Sequence, residues 1–370
     1  MPSSDNAVVG WDVGGAHVKA CVLQGGEVVD VAQWACPLWQ GLDQLERVLQ
    51  QARARWPAMD TMRHAVTMTG EMVDLFCHRE EGVQRIAATM AATLPAPRYF
   101  AGDDGWCDAG ELAGRWAQIA SANWLATAQH AAQCLDEGVL VDIGSTTTDL
   151  IAFRGGRVLT TARSDVQRLA TGELVYHGVV RTPLCALTRQ IAWRGNPLNV
   201  MNEYFATVAD VYRLTGELNP AHDLYPPADN AAKDLNATRA RLARMIGLDA
   251  RDGSPADWLD FALAWRGCQV AEIGSQLRRV MTMHGLGGRA VVVSAGCGDF
   301  LVPDVLASAI GPGAASGAPA VLPYGSELAR IAPHGDGSEQ AADQAADRAA
   351  WAQVCAPCVA VAMLSDRERR

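Results

Sequence analysis

The sequence has little charge, and the charge it has is mostly acidic. Only 19% of its 370 residues are Asp, Glu, Lys or Arg, and 31 basic against 41 acidic residues give a formal net charge of −10. An acidic protein repels a phosphate backbone, so this balance argues against a general nucleic-acid binder. A small anionic ligand remains compatible, because local geometry rather than net charge can hold it.

Long apolar runs and a second cysteine pair are also missing. No stretch approaches the length of a membrane span, and residues 1–6 lack the basic and apolar regions of a secretory signal. Ten cysteines are scattered through predicted core segments, which favours reduced thiols over a disulfide framework. Cys355 and Cys358 have CxxC spacing without a partner pair, which disfavours zinc or redox chemistry. We therefore expect a cytoplasmic protein that binds no membrane.

A Walker-type lysine motif is absent, yet residues 138–149 have the features of a phosphate site. Residues 139–143 predict a buried strand, Gly144 permits a tight turn, and strand character then resumes. In the turn, backbone N–H groups and hydroxyls can converge on phosphate oxygens, while Asp142 can hold a hydrated divalent cation. The hydroxyls are those of Ser145, Thr146 and Thr147. A capped hairpin that binds no ligand is the alternative.

A second copy of this pattern favours the ligand-binding interpretation. Residues 8–13 form an apolar strand that contains Asp12, Gly14 and Gly15 follow it, and strand character resumes at residue 18. Two such hairpins in one chain predict two related lobes that face a shared cleft.

A third element lies late in the chain, at residues 290–298. An apolar strand enters a turn that contains Gly296 and Gly298, and a helix is predicted from about Asp299, so bare backbone can approach a ligand. The three elements, in this order, resemble the two phosphate segments and the adenosine segment of the actin, sugar-kinase and heat-shock-chaperone (ASKHA) superfamily. The resemblance implies an α/β, two-lobed, ribonuclease-H-like fold with a ligand cleft between the lobes.

The lobe boundaries follow from the placement of these elements. We expect a first lobe at residues 1–133, completed by residues 335–370, and a second lobe at residues 134–334. Residues 217–257 are rich in proline and charge, which predicts a surface insertion with one helix around residues 237–246.

Two further stretches offer acids and bases. Thr69-Gly70-Glu71 ends a predicted strand, where open α/β sheets place ligands, although helix capping explains Glu71 equally well. Residues 164–183 are dense in polar side chains, within a predicted strand and loop region, and include Glu173 and His177. Such density indicates a site, with structural ion pairs inside the segment as the alternative.

The chain also resembles one branch of the hydantoinase A/oxoprolinase-like proteins, the tetrahydromethanopterin-linked one-carbon-transfer family. The segments that carry this resemblance are residues 12–19, 69–71, 123–124, 142–149, 172–183 and 209–216. It covers most of the chain, and the predicted insertion and the tail are its least diagnostic parts.

The resemblance implies a transferase of methanofuran biosynthesis. Such an enzyme joins an aminomethylfuran-methyl diphosphate to the phenol oxygen of γ-glutamyltyramine and releases diphosphate, with Asp12 and Asp142 positioning Mg²⁺. The residues then expected to bind the ligand are Gly14, Gly15, Ala16, Lys19, Gly144, Ser145, Thr146, Thr147, Gly296 and Gly298. The candidates for the base that takes the phenolic proton are Glu71, Glu173 and His177, and the sequence does not choose among them.

Two other functions stay open on the sequence alone. An ATP-dependent kinase or ATPase would hold ATP in the same turns, as other members of the superfamily do, and a nucleotide-regulated scaffold would bind without chemistry. ATP consumption separates the kinase from the transferase. The expected partners are small molecules, the furan diphosphate and the phenolic acceptor. The oligomeric state stays open, with a homodimer among the options.

Overall fold

The chain divides into two compact units. The computed structural model describes residues 7–287, 290–311, 318–333 and 339–368. Unit 1 comprises the residues up to 138, residues 152–167 and the residues from 322 onward, and unit 2 comprises residues 139–151 and 168–321. Residues 1–6 and 335–338, on which parts of the sequence predictions fall, lie outside the described residues.

The described residues form fourteen strands and eleven α-helices. The strands are β1 (Ala7–Val13), β2 (His17–Gln24), β3 (Glu27–Ala35), β4 (Arg63–Met68), β5 (Arg98–Phe100), β6 (Trp106–Cys107), β7 (Glu137–Ile143), β8 (Thr148–Arg154), β9 (Arg157–Val158), β10 (Leu174–Val175), β11 (Gln190–Trp193), β12 (Asn196–Asn199), β13 (Val291–Ala295) and β14 (Val321–Pro323). The α-helices are α1 (Asp43–Arg55), α2 (Arg79–Thr93), α3 (Leu112–Ile119), α4 (Asn123–Cys134), α5 (Asp165–Thr171), α6 (Val208–Thr215), α7 (Leu235–Arg244), α8 (Pro255–Met283), α9 (Val302–Ile310), α10 (Glu339–Val354) and α11 (Ala356–Arg367).

Unit 1 is built on a sheet with the strand order β3-β2-β1-β4-β5-β6. Strand β1 pairs antiparallel with β2 and parallel with β4, and all seven of its residues are buried. Helices cover both faces of the strand, which explains why its sequence is a continuous apolar run rather than an alternating one. Val9, Trp11 and Val13 belong to the same apolar core as residues of α1 and α2. On the other face α11 packs closely, since a Cβ on Gly10 would collide with the carbonyl oxygen of Cys358.

Unit 2 repeats the hairpin at the centre of its own sheet. The strand order there is β10-β8-β7-β13-β14, and residues 139–143 of β7 are entirely buried. The long helix α8 begins with a capping box, in which Ser254 accepts from the N–H of Asp257 and the side chain of Asp257 accepts in return. Its buried stripe includes Trp258, Trp265 and Gln269, so this helix forms much of the core of the unit.

The structure differs from the predicted lobe boundaries and secondary structure in the residues from 152 onward. Residues 152–167, predicted in the second lobe, join unit 1, where Arg163 Nε donates to Asp103 Oδ2 at 2.6 Å and β9 packs against α4. The region predicted as strand and loop contains the helix α5. Arg168 on that helix is buried in an ion pair with Asp149, a tertiary contact that the local sequence does not reveal.

The segment predicted as a surface insertion also contributes to the interior. Its helix α7 carries Arg241, which is 0% exposed and donates from Nε to Asp210 Oδ1 at 2.7 Å. Arg213 bridges the same Asp210 to Asp223 at 2.7 Å each. The charges that suggested a surface segment are therefore partly neutralised inside the unit, where unpaired charges would be costly.

Among the described residues, no single helix has the length and apolar character needed to cross a membrane. The pair formed by Gln340–Val354 and Ala356–Arg367 passes that test only when the two helices are taken together, and they are bent by 96° at their junction.

Candidate functional site

The second hairpin forms a tight turn that is more accessible than its strands. The N–H of Gly144 donates to the carbonyl of Thr147 at 2.8 Å, which closes the turn. Residues 144–147 are half-buried, whereas residues 138–143 of the strand before them are buried. The hydroxyl oxygens of Ser145 and Thr146 lie 3.4 Å apart. Two neighbouring hydroxyls on an accessible glycine turn are suited to binding the oxygens of a phosphate group.

The late glycine element packs directly on this turn. The N–H of Gly298 donates to the carbonyl of Ile143 at 2.8 Å. Gly296 has φ +86°, and a Cβ there would lie 2.5 Å from Asp142 Oδ1. Only glycine adopts this backbone conformation without strain while also letting the Asp142 carboxylate pack so closely. The structure thus brings together the two glycine motifs of unit 2, with the carboxylate of Asp142 beside them.

A third loop, residues 177–183, is bonded to the same turn. The N–H of Val179 donates to Gly144 O at 3.0 Å, and the N–H of Arg181 donates to Ser145 O at 2.8 Å. The loop is held in turn by Gln269 on α8, whose Nε2 donates to the carbonyl of Gly178 at 2.8 Å. Sequence reasoning missed this buried glutamine.

We expect Gly178→Ala to destabilise the protein. A Cβ on residue 178 would lie 2.6 Å from Gly144 O and even closer to the backbone of residues 145 and 146, which cannot move aside as a flexible side chain could. Overpacking of this kind costs about 1–3 kcal/mol of unfolding free energy, measurable by urea denaturation.

Gly267→Ala is the matched control for that prediction. Gly267 is exposed within α8, and a Cβ there would meet no atom within 4 Å. Alanine is the better helix former, so this variant should gain about 0.5–1 kcal/mol. Equal midpoints for Gly178→Ala and the unmodified protein would show that the 177–183 loop does not pack on the hairpin.

A cavity of about 510 Å³ opens beside this turn, and both the hairpin and the 177–183 loop line it. Thr146 comes from the hairpin, His177 and Arg181 from the loop, and Leu169 and Tyr176 add apolar surface. Small-molecule sites typically have volumes of about 300–1,000 Å³ and mix apolar walls with a few polar groups. The cavity therefore has the size and lining of a binding site for a small ligand.

Of the three candidate bases, His177 is the one that lines this cavity. Its Nδ1 is buried and has no hydrogen-bond partner in the structure. Burial lowers the pKa of His177 below its ordinary value of 6.5, and the charge of Glu272 opposes that shift. The imidazole is therefore neutral at pH 7 and can accept a proton.

Glu173 lies elsewhere, inside the unit. It is fully buried, and its Oε1 is 3.1 Å from His284 Nε2 while its Oε2 accepts from the hydroxyl of Thr171 at 2.7 Å. It does not line the cavity, although its neighbours Gly172 and Leu174 do. These contacts give Glu173 a structural role in holding the end of α8 near β10.

The first hairpin, in unit 1, has the same internal bonding as the second. The N–H of Gly14 donates to the carbonyl of His17 at 2.9 Å, as Gly144 does to its own turn. The carbonyl of Val13 accepts from the N–H of Thr69, the first residue after β4, at 2.9 Å, and the carbonyl of Ile143 accepts from the N–H of Gly298, in the turn after β13. Thr69-Gly70 is therefore the counterpart, in unit 1, of the late glycine element.

Asp12 is 5% exposed and is held by the start of α4. Its Oδ1 accepts from Asn123 Nδ2 at 3.4 Å. The paired strands place Lys19 and Thr67 opposite Asp12, so the three side chains share one face of the sheet. Lys19 Nζ donates to the carbonyl of Val354 at 3.0 Å, at the end of α10, where a cation is favourable. Asn123 was not among the residues predicted to form a site.

Gly15 and Ala16 are packed against neighbouring segments of unit 1. A Cβ on Gly15 would lie 2.7 Å from Val73 Cγ1, and Ala16 is buried with its carbonyl accepting from the N–H of Cys36 at 2.8 Å. The turn of the first hairpin is consequently less open than the turn at Gly144.

Glu71 is a buried carboxyl group in unit 1. It is 1% exposed, its Oε1 accepts from the hydroxyl of Ser121 at 2.7 Å, and Arg79 lies 3.6 Å away. Burial raises the pKa of Glu71, and the hydrogen bond from Ser121 partly offsets that shift. Ser121 has φ +52°, a strained conformation for a residue other than glycine, which the packing around Glu71 must hold in place.

A comparison with known protein families shows the family of this chain. Residues 63–319 match the hydantoinase/oxoprolinase family. The chain belongs to that family. The matched region contains the second hairpin, the 177–183 loop and the late glycine element, and it begins after the first hairpin.

Two curated relatives of this hydantoinase/oxoprolinase-family chain carry the same name, (4-{4-[2-(gamma-L-glutamylamino)ethyl]phenoxymethyl}furan-2-yl)methanamine synthase. The protein from Methanocaldococcus jannaschii is 30% identical over 69% of this chain and 76% of its own length. The protein from Methanococcus vannielii is 27% identical over 48% of this chain and 79% of its own length. Both relatives are therefore named as enzymes, which supports an enzyme family.

Among solved structures, the nucleotide-free structure of acetone carboxylase is similar in fold. It has a TM-score of 0.50 at 12% identity, and the match covers 82% of this chain and 67% of that one. The likeness in fold and the repeated strand order of the two sheets confirm the α/β fold that the resemblance to the ASKHA superfamily implies.

The carboxylates of Asp12 and Asp142 fit a cation only if a phosphate group binds the same cation. No group of three or more His, Cys, Asp or Glu side chains among the described residues could hold a metal ion. Mg²⁺, however, is commonly bound by one or two carboxylates together with waters and substrate phosphates. Asp12 in unit 1 and Asp142 in unit 2 each place one carboxylate just before a glycine turn, so each residue, within its own unit, fits a Mg²⁺ that a phosphate group also binds.

The CxxC pair is part of the core of unit 1. Cys355 and Cys358 are both fully buried, and Cys358 Sγ donates to the carbonyl of Cys355 at 3.1 Å. Cys21 Sγ donates to the carbonyl of Cys358 at 3.3 Å. Burial raises the pKa of the Cys358 thiol well above its ordinary value, which makes it a poor metal ligand.

Proposed function

We propose that this protein is a transferase of methanofuran biosynthesis that forms an aryl ether. In the proposed reaction, the phenol oxygen of γ-glutamyltyramine attacks the methylene carbon of an aminomethylfuran-methyl diphosphate. A carbon–oxygen bond forms, the bond from that carbon to the diphosphate breaks, and the phenolic proton passes to a base. The name of the two relatives, which describes this phenoxymethyl-furan product, supports the proposal.

The observation that carries the proposal is the shared lining of the unit 2 cavity. Thr146, from the glycine turn, and His177, the neutral imidazole, line one cavity. A diphosphate bound at residues 144–147 would therefore lie next to a group that can accept the proton of the attacking phenol. Acid–base catalysis requires such proximity between the base and the reacting atoms.

We assign the base role to His177 rather than to Glu71 or Glu173. Glu173 is engaged with His284 and Thr171, and the carboxyl group of Glu71 is fully buried in unit 1. The apolar side chains of Leu169 and Leu174 line the cavity beside His177 and would shield a furan carbon with cationic character from water.

The two aspartates have a charge-balancing role in this proposal. Mg²⁺ held with the diphosphate would neutralise the charge that develops on the leaving group. Asp142 would hold that cation beside the turn at Gly144, and the backbone and hydroxyl groups of residues 144–147 would orient the phosphate oxygens. The turn at Gly14 follows Asp12 and is closed by the same kind of N–H to carbonyl bond as the turn at Gly144. We propose it as a second phosphate-binding turn.

We expect acceptor-dependent diphosphate release that requires Mg²⁺ but no ATP. The assay combines the furan diphosphate and γ-glutamyltyramine with and without nucleotide, and follows diphosphate by a coupled assay and the ether by mass spectrometry. EDTA should abolish turnover, and excess Mg²⁺ should restore it.

The same assay separates the other candidate functions. An absolute requirement for ATP with formation of ADP would replace the transferase by a kinase or ATPase. Binding of the substrates without any product, even in a single turnover with excess protein, would indicate a scaffold.

A further inference from the structure

One wall of the unit 2 cavity is a polar row on α8. Glu272, Gln276 and Arg279 all line the cavity, and their spacing of four and three residues places them on one face of the helix. Gln276 Nε2 donates to Glu272 Oε1 at 3.0 Å. Gln276 Oε1 is buried without a hydrogen-bond partner. A buried acceptor of this kind is costly unless a ligand supplies a donor.

A second cation reaches the cavity from the 177–183 loop. The backbone of Arg181 is fixed by its N–H bond to Ser145 O at 2.8 Å, so its position is tied to the phosphate-type turn. Arg279 donates from Nη2 to the carbonyl of Ala170 at 2.7 Å, which anchors its guanidinium at the α5 side of the cavity. A guanidinium has five N–H donors, so this bond leaves others that can face a ligand.

The cavity therefore combines two guanidinium groups, one carboxylate and one unsatisfied amide oxygen. A purely anionic ligand would be repelled by the carboxylate of Glu272, and a neutral phenol would not pair with any of these charges. A group that carries a carboxylate and an ammonium on the same carbon satisfies both signs: the guanidinium groups can bind the carboxylate, and Glu272 with Gln276 Oε1 can accept from the ammonium.

We propose that Arg181, Arg279, Glu272 and Gln276 bind the free α-amino acid head of a γ-glutamyl acceptor. A glutamyl group linked through its side-chain carboxyl keeps its α-ammonium and α-carboxylate, whereas tyramine alone has no carboxylate. The inference rests on the proposed function for its acceptor, and it assigns to these four residues the selection of γ-glutamyltyramine over tyramine.

The test compares two acceptors in three variants. For the unmodified enzyme we expect a KM for γ-glutamyltyramine well below that for tyramine. Arg181→Ala and Arg279→Ala should each raise the KM for γ-glutamyltyramine by roughly 10- to 100-fold, the usual effect of losing a hydrogen bond to a charged group, with little change for tyramine. Glu272→Gln should weaken the same discrimination through the ammonium.

Arg251→Ala is the matched control. Arg251 is exposed, pairs only with Asp249 at 3.0 Å among the described ion pairs, and does not line the cavity. It should leave both KM values unchanged. Equal losses for the two acceptors in Arg181→Ala and Arg279→Ala would overturn the inference, because the arginines would then be acting on something other than the amino acid head.

A binding measurement separates this inference from the proposed function. Calorimetric titration of γ-glutamyltyramine, without any furan diphosphate, needs no chemistry. Tight binding that is lost in Arg181→Ala and Arg279→Ala supports the head-group site even if no ether is formed, in which case only the proposed reaction fails. Absence of binding to the unmodified protein, or binding that both variants retain, overturns the head-group site itself.

Discussion

Asp142→Asn should leave the fold intact and lower kcat for ether formation by about 10²–10³-fold. The amide keeps the shape of the side chain, which packs against Gly296, but removes the negative charge beside the glycine turn. Under the proposed function, that charge holds the cation that neutralises the departing diphosphate, and single contacts to such a centre are worth about 3–4 kcal/mol. Steady-state kinetics and thermal unfolding of the same preparation measure the two parts of the expectation.

The control for Asp142→Asn is Asp260→Asn, which removes one carboxylate from an exposed position on α8. Its kcat should match that of the unmodified protein, which excludes a general effect of net charge. Raising the Mg²⁺ concentration should recover part of the activity of Asp142→Asn if the lost interaction is with the cation. Near-normal turnover in a well-folded Asp142→Asn protein would make Asp142 an ordinary turn residue.

The hairpins could be predicted from the sequence because their signal is local. An apolar run, an aspartate two residues before a glycine and a resumed strand are enough to specify a turn, and the structure has the same N–H to carbonyl bond in both turns. The contact of Gly296 and Gly298 with the second hairpin was less visible. It joins segments about 150 residues apart, and the only sign of it in the sequence is the choice of glycine where a Cβ would collide.

The cavity was largely invisible to sequence reasoning, because long helices and buried pairs bring its residues together. Arg168 lies in a segment predicted as strand and loop, and its ion pair with Asp149 is a tertiary contact that the local pattern does not reveal. Glu272, Gln276 and Arg279 form a polar face on α8, whose other face is buried. Their spacing was a usable signal, since three polar residues on one face of a helix that packs its other face into the core meet solvent, partners or a ligand.

In unit 1, the contacts that hold the candidate residues could not be predicted from local patterns. Glu71 follows a predicted strand end as expected, yet the structure holds it with Ser121, a residue with φ +52° that no local pattern indicates. Likewise, Asn123 reaches Asp12 from the first residue of a helix that lies more than a hundred positions later. Such contacts depend on how the helices pack on the sheet, and local sequence patterns do not reveal that packing.

Replacing His177 with glutamine should reduce kcat/KM by roughly 10²–10⁴-fold, the usual contribution of a positioned base. The pH profile gives the sharper test. Since burial lowers the pKa of His177 below 6.5, the unmodified enzyme should keep its activity at neutral pH and lose it as the pH falls through that lowered pKa, when the imidazole becomes protonated. The His177→Gln enzyme has no such group, so its residual activity should lack this acidic limb.

Three comparison variants decide whether the limb belongs to His177. Glu272 raises the pKa of His177, so Glu272→Gln should move the limb to lower pH, a shift that a purely structural histidine would not produce. Glu71→Gln and Glu173→Gln should keep the limb in place, whatever they do to stability, because neither carboxylate lines the cavity. If His177→Gln retains the limb and one of these glutamate variants loses it, the phenolic proton goes to that carboxylate, and the cavity beside the second hairpin is not where the ether is made.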